Sequence, residues 1–387
     1  MSLKNNAFTN IRDKVKAAEP LSFDDGLALF NHPNLLEVAT LANEVRERLH
    51  GDRTYFNRNF HINATNVCVA SCKFCSFARL EEGSPEAQTL THEEAFAKLQ
   101  SRVNAGEPIT EIHIVNGLHP GLPFDYYTKL LSGLKAIKPD IHLKAFTAVE
   151  IHYYHQRYGM SIEEVLRQLH AAGLDSLPGG GAEIFAPRVR KKICDDKCSA
   201  EEWLAVHRAA HRMGLRTNCT MLYGHIETLE ERVDHMMSLR ALQDETGGFQ
   251  TFIPLAFHPD NNALMKLPAS TGVEDLRTYA VSRLMLHNIP HLKAYWVMLG
   301  VKTSQTALWF GADDLDGTVQ EEKIYHMAGA ETPQTLTSDE IVRMIVNAGR
   351  SPVERDTLYN VIAEGDQLIP KGPFRRNVHK RSLEVVQ

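Results

Sequence analysis

Three cysteines stand close together in Asn66-Val67-Cys68-Val69-Ala70-Ser71-Cys72-Lys73-Phe74-Cys75, at the spacing C-x3-C-x2-C. Thiolates delivered from one short loop can wrap one face of a compact metal centre. Iron–sulfur cubanes ordinarily take four cysteine ligands, so a three-thiolate loop leaves one iron open to an outside ligand. Zinc is the other reading, although structural zinc favours paired C-x2-C motifs and no second pair occurs here. Spacing alone leaves both open, together with three uncommitted thiols. Cys194 and Cys198 would need further ligands to hold a second centre, and only Cys219 remains, so these read as ordinary thiols. His207 and His211 share a helix face, but Arg208 stands where an H-E-x-x-H metalloprotease places its general base. Gly179, Gly180 and Gly181 precede Glu183. Successive glycines let backbone N–H groups converge on an anion or let a ligand approach closely, so all four are substrate candidates, as is His258. Neither G-x-G-x-x-G nor G-x4-G-K-[ST] occurs.

Such residues need a scaffold, and the composition describes one. The chain has 387 residues, 43% hydrophobic and 23% charged, with a formal charge of −6. A chain of this length can bury a large core without disulfides. No apolar run approaches the roughly 18 residues of a membrane span, and the first ten residues carry no secretory-type apolar stretch. Mild acidity without basic blocks argues against extensive nucleic-acid binding. Six cysteines in such a chain indicate thiol chemistry in a reducing compartment. A cytoplasmic enzyme is expected, acting on a small molecule and engaging neither nucleic acid nor membrane.

The elements alternate. Apolar spacing over 21–49 predicts helices broken near Pro33, and the first sixty residues read as helical. Strands are expected at 60–65, 112–116, 143–149, 174–177, 217–223, 249–257, 293–298 and 308–311. Helices are expected between them at 92–104, 124–137, 161–172, 200–213, 229–246 and 273–287, with a further one at 338–348. This alternation predicts an α/β fold, a (β/α)8 TIM-type barrel with an N-terminal helical extension and C-terminal additions. Its expected divisions are 1–59, 60–349 and 350–387, the last with a basic stretch at 371–381. The 313–317 stretch reads as a turn, and Trp296 and Trp309 read as core. Active sites of such barrels lie at the C-terminal ends of the strands, where the cysteine loop falls.

C-x3-C-x-aromatic-C at that place, with Phe74 as the aromatic, resembles the signature of the radical S-adenosylmethionine (SAM) superfamily. The resemblance implies that Cys68, Cys72 and Cys75 hold a [4Fe–4S] cluster whose open iron chelates S-adenosylmethionine. It also implies cofactor contacts at Asn116 and Gly117, by position only because the usual Gly-Gly-Glu is absent there, and at Glu150 at the end of the third strand. Gly224 and Glu227, in Gly224-His225-Ile226-Glu227, resemble the latter half of the G-x-I-x-G-x-x-E pattern near adenine. Segments 60–66, 178–184 and 221–227 narrow the resemblance to the radical enzymes of the menaquinone futalosine pathway, covering most of the chain to about residue 360. Segment 51–63 is closer to the aminofutalosine synthases than to the cyclic dehypoxanthine futalosine synthases. A transferase is implied, adding the 5′-deoxyadenosyl group of S-adenosylmethionine to 3-[(1-carboxyvinyl)oxy]benzoate to give 6-amino-6-deoxyfutalosine. A flavodoxin or ferredoxin is the implied electron donor.

Overall fold

The computed structural model describes residues 2–370, so the basic stretch 371–381 lies outside the described residues. Helix starts follow from sequence: Thr91, Thr147, Ser199, Thr228 and Thr337 each accept from the N3 backbone while the N3 glutamate reaches back. Such reciprocal caps satisfy donors that the first helical turn leaves open. Among the described residues eleven strands form between these helices. They are β1 (Arg53–Asn57), β2 (Asn59–Ile62), β3 (Glu111–Ile114), β4 (His142–Ala145), β5 (Ser176–Leu177) and β6 (Arg216–Tyr223). The others are β7 (Phe249–Ala256), β8 (His291–Leu292), β9 (Asp314–Gly317), β10 (Ser351–Arg355) and β11 (Val361–Glu364).

Strands β2 to β8 pair in chain order as a parallel seven-stranded sheet. The sheet curls until both edges meet one segment. Lys293 bridges Asp314, Phe60 bridges Gln320, and the His61 N–H donates to the Gln320 carbonyl at 2.9 Å. The eighth stave is therefore 314–320, and the fold is an α/β barrel of the (β/α)8 type. Residues 308–311, expected as that stave, instead follow the helix Val301–Ala307. The acids that made 314–317 look like a turn point inward: Asp314 pairs with Arg355 at 2.6 Å and Asp316 with Lys293 at 2.8 Å.

Three further expectations are corrected. The strand expected over 293–298 is confined to His291–Leu292, and Trp296–Leu299 is helical. The first sixty residues are not all helical. Helices Phe23–Phe30 and Leu35–His50 are followed by β1, which pairs in parallel with both β10 and β9. Segments from the two ends of the chain thus share a four-stranded sheet with β9. The third barrel strand also ends early, at Ala145, because Thr147 caps a helix over Ala148–Tyr158.

The sheet-and-loop region 351–360 seals the floor of the barrel. Arg355 reaches Asp314, the Thr357 hydroxyl donates to Glu111 Oε2 at 2.7 Å, and Tyr359 stacks on His291 with centroids 3.5 Å apart. The lumen above it is lined by alternate residues of each strand. On β3 the outward residues Ile112 and Ile114 are fully buried under helices, whereas the inward His113 is half-buried. Ile253 on β7 behaves likewise against fully buried Phe252. Helices cover the outer face, so this exposure is to an open lumen.

Candidate functional site

The cysteine loop leaves β2 at the C-terminal mouth and is fixed mostly by backbone. The Cys68 N–H donates to the Arg79 carbonyl (2.9 Å) and the Arg79 N–H to the Asn66 carbonyl (2.8 Å). Val69 N–H reaches the Leu118 carbonyl, Lys73 N–H the Ile193 carbonyl, and the Lys73 carbonyl accepts from Ala263. Three neighbouring loops therefore pin it from different sides. The Arg79 guanidinium, donating to the carbonyls of Ser76 and Ala78, fixes the turn after Cys75. Gly117 is demanded by packing, since a Cβ there would lie 2.3 Å from the Val67 carbonyl oxygen.

Cys68 is buried, Cys72 and Cys75 are half-buried, and all three are free thiols. Burial pushes the Cys68 thiol up, and pushes Cys72 well up against the pull of Lys197. Partly buried thiolates need a cation to displace their protons. The loop's chemistry accordingly fits a thiolate-held metal centre. Among the described residues, the cluster whose ligand atoms all lie within 4.8 Å is His50, His291 and Asp313, not the three loop thiols.

Around this loop the structure brings together some of the expected site residues. Phe74 faces Lys197, whose ammonium lies 5.6 Å from the ring centroid, and Lys197 pairs with Glu183 at 2.5 Å. Both charges are buried. Burial opposes the ammonium, but Glu183 outweighs that and holds it above its usual range. Glu183 sits in the left-handed region, φ +48°. Lys197 was not expected: it lies in the 194–199 loop, where the two neighbouring cysteines drew attention instead. Cys194 and Cys198 are buried beside it as free thiols.

Asn116 is a hub. Its Oδ1 accepts the Ala64 N–H at 2.7 Å, its N–H donates to Glu150 Oε1 at 3.1 Å, and its buried Nδ2 has no partner. Asn63 Oδ1 is likewise buried without a partner. The N–H of Gly117 is already committed to the Thr65 carbonyl (2.8 Å). Glu150 lies at position N3 of its helix, where it also accepts from the Thr147 N–H (2.7 Å) and hydroxyl. Burial pushes its carboxyl up to about 8 against those donors.

Glu227 folds back on its own loop. It accepts from Gly224 N–H (2.6 Å), His225 N–H (2.9 Å) and the Arg232 guanidinium (2.8 Å). Burial opposes its charge, yet His225 and Arg232 bring it down to about 2. Gly224, at φ +89°, makes the turn that these bonds enclose. Gly179 packs on the β6 backbone, a Cβ there falling 2.7 Å from the Cys219 Cα, and the Gly180 carbonyl accepts from Trp203 Nε1–H. Gly181 combines φ +87° with a close approach to Val149. His258 Nε2 is bonded to the Met298 carbonyl at 2.8 Å. His207 and His211 both bond Thr217 on the outer face of β6.

The C-terminal region supplies side chains that motif reading missed. Tyr325 stands against Tyr295 (5.6 Å between centroids) at the mouth, close enough to Cys75, Glu183 and Lys197 to feel their charges. Its neighbour Glu322 is held by the backbone N–H of Tyr325 and by His326 at 3.0 Å. On the lumen wall, His61 and His113 alternate with apolar residues. That pattern was a readable signal, because a strand buried on both faces is ordinarily apolar throughout.

Comparison with known proteins agrees with this architecture. Residues 62–239 match the model of the radical SAM superfamily, and residues 246–368 that of the CofH/MqnC C-terminal region. The chain is 50% identical over 364 residues to an aminodeoxyfutalosine synthase of Thermus thermophilus, covering 92% of this chain and 96% of the relative. It is 49% identical over 365 residues to one of Streptomyces coelicolor, covering 92% and 94%. Among solved structures, HydG, a maturase of the [FeFe]-hydrogenase, superposes with a TM-score of 0.71 at 17% identity over 90% of this chain and 76% of that chain. That last likeness concerns the fold.

Proposed function

The chain belongs to the radical SAM superfamily, in the family of the aminodeoxyfutalosine synthases, and we propose that it joins the adenosyl group of S-adenosylmethionine to 3-[(1-carboxyvinyl)oxy]benzoate, giving 6-amino-6-deoxyfutalosine. The observation that carries the reading is identity near one half over nine-tenths of the chain, spanning barrel and C-terminal region alike. Members of this superfamily use a [4Fe–4S] cluster and S-adenosylmethionine. When bound, the cluster supplies the electron that cleaves the sulfonium to methionine and a 5′-deoxyadenosyl radical. Joining the adenosyl carbon to the enol ether and releasing its carboxylate as bicarbonate would leave no net change of oxidation state, so the electron supplied would be returned at the end of the turnover.

The chain's own tasks follow from its geometry. Cys68, Cys72 and Cys75 are the proposed ligands, on a loop whose backbone is fixed before any metal arrives. Asn116 Nδ2 is the proposed side-chain contact to S-adenosylmethionine, while Glu150 acts on it indirectly by fixing the Asn116 backbone. Glu227 shapes the Gly224 turn proposed to lie near adenine. The Lys197–Glu183 pair and Phe74 wall one side, and Tyr295 and Tyr325 cover the mouth, which excludes water from a radical centre. The sealed floor leaves the mouth as the substrate's route. Holding two molecules at near-attack distance is the main source of acceleration open to such a site.

A small one-electron carrier such as a flavodoxin or ferredoxin is the proposed reductant, in a cytoplasmic setting that suits free thiols. Among the described residues no helix is long and apolar enough to cross a membrane. The test is an anaerobic assay with dithionite, offering the enol ether and dehypoxanthine futalosine separately. Consumption of the enol ether supports the reading. Exclusive consumption of dehypoxanthine futalosine assigns the chain to ring closure instead.

A further inference from the structure

Across β2, β3 and β4 the register sets His61 beside His113 and His113 beside Lys144, so three basic side chains form one row on the lumen wall. The two imidazoles stack with centroids 4.7 Å apart and planes 4° from parallel. His61 is buried and its Nε2 has no hydrogen-bond partner. His113 is half-buried and makes no hydrogen bond to any described residue. The charges around them are already matched: Lys144 holds Glu111 at 2.8 Å, and Lys293 on the opposite wall holds Asp316 at 2.8 Å. Glu322, the remaining acid facing His61, is bonded to backbone N–H groups and His326.

The His61 Nε2, kept from water without a partner, carries a desolvation cost, and the partly exposed His113 faces the lumen. The substrate proposed above bears carboxylates at both ends. Its enol ether must meet the adenosyl group at the rim, near Asn116, which directs the aryl ring down the lumen. His113 lies three residues below Asn116, about 10 Å at roughly 3.3 Å per residue, a depth that the aryl end of such a molecule can reach. We propose that His113, backed by the stacked ring of His61, donates a hydrogen bond to the aryl carboxylate and so selects a benzoate over an uncharged ring. The inference rests on the proposed reaction and names which end of the substrate each level of the barrel receives.

The test is equilibrium binding to the reconstituted holoenzyme with S-adenosylmethionine and no reductant, by calorimetry. The probes are 3-[(1-carboxyvinyl)oxy]benzoate and 2-phenoxyacrylate, which lacks only the ring carboxylate. Wild type is expected to prefer the benzoate by at least about tenfold, the scale of one charge-assisted hydrogen bond. His113→Phe should bind both within about threefold, and His113→Gln, which keeps an N–H donor, should retain an intermediate preference. Iron content and circular dichroism matching wild type establish that each variant is folded, and His113→Gln carries the test if the Phe variant is not. Wild-type preference surviving in His113→Phe, or a wild type that binds both probes equally, overturns the anchor alone. A wild type that binds neither overturns the substrate reading and the anchor with it.

Discussion

Replacing Gly117 with alanine tests whether the thiol loop is built in advance. The added Cβ would stand 2.3 Å from the Val67 carbonyl oxygen and 2.8 Å from its carbon, against 3.4 Å for ordinary contact. The shortfall is about 1 Å, and both atoms are backbone, so no side chain can swing away. Either the 116–118 turn or the Val67 peptide next to Cys68 must move by that amount. The move also strains the Gly117 N–H bond to the Thr65 carbonyl, 2.8 Å long. Overpacking of this kind costs about 1–3 kcal/mol, and a lost hydrogen bond adds about 1 kcal/mol. The assay pairs urea denaturation of the metal-free chain with iron content and the charge-transfer band after anaerobic reconstitution. Gly117→Ala should lose stability on that scale and bind well under half the wild-type iron. Gly83→Ala, in the same loop with nothing within 4 Å of its added Cβ, should match wild type in both. Full iron content and unchanged stability in Gly117→Ala would refute the idea that this contact positions the thiols.

Cys68→Ala, Cys72→Ala and Cys75→Ala should each abolish cluster binding and reductive cleavage of S-adenosylmethionine, whereas Cys194→Ser, Cys198→Ser and Cys219→Ser should retain iron by chemical analysis. Lys197→Met leaves Glu183 charged and buried, so urea denaturation should show a loss of about 3 kcal/mol, with much of it recovered in the double variant with Glu183→Gln. The Glu227 carboxyl sits at about 2 in the folded chain against an ordinary 4.5, so its ionised form stabilises the fold above pH 4.5 and that contribution disappears as pH falls toward 2. The gap corresponds to roughly 3 kcal/mol. The stability difference between wild type and Glu227→Gln should therefore be largest near neutral pH and shrink in acid.

Strands and helices whose pattern follows one rule were legible. Helices 92–104, 124–137 and 229–246 form over those same residues, because a threonine or proline opens each and an apolar stripe continues it. The eighth stave was not legible, since Asp314-Leu315-Asp316-Gly317 has turn-forming composition and becomes a strand only when Arg355 and Lys293 neutralise its acids. β1 was hidden for a related reason: its partners β9 and β10 lie some 260 and 300 residues away along the chain, beyond any local signal. The thiol loop stood out because its spacing is local. Lys197, Tyr325 and the His61–His113 stack did not, because tertiary packing alone assembles them, although alternating polar residues on a barrel strand hinted at the stack. Glu150 was read from strand-end position as a ligand contact, and the structure adds that it stands one turn into a helix, where Thr147-x-x-Glu150 is a capping box that engages the carboxylate.

Formation of a carbon–carbon bond between the adenosyl group and the enol ether is the reaction proposed for this chain. It is tested most directly by incubating the reduced holoenzyme with S-adenosylmethionine carrying ¹³C at C5′ and enol ether carrying ¹³C at the vinyl CH₂. The product should show one-bond coupling between the two labels in its ¹³C spectrum, with free 5′-deoxyadenosine only a minor uncoupled species. Recovery of nearly all C5′ label in 5′-deoxyadenosine, with no coupled product, would contradict it.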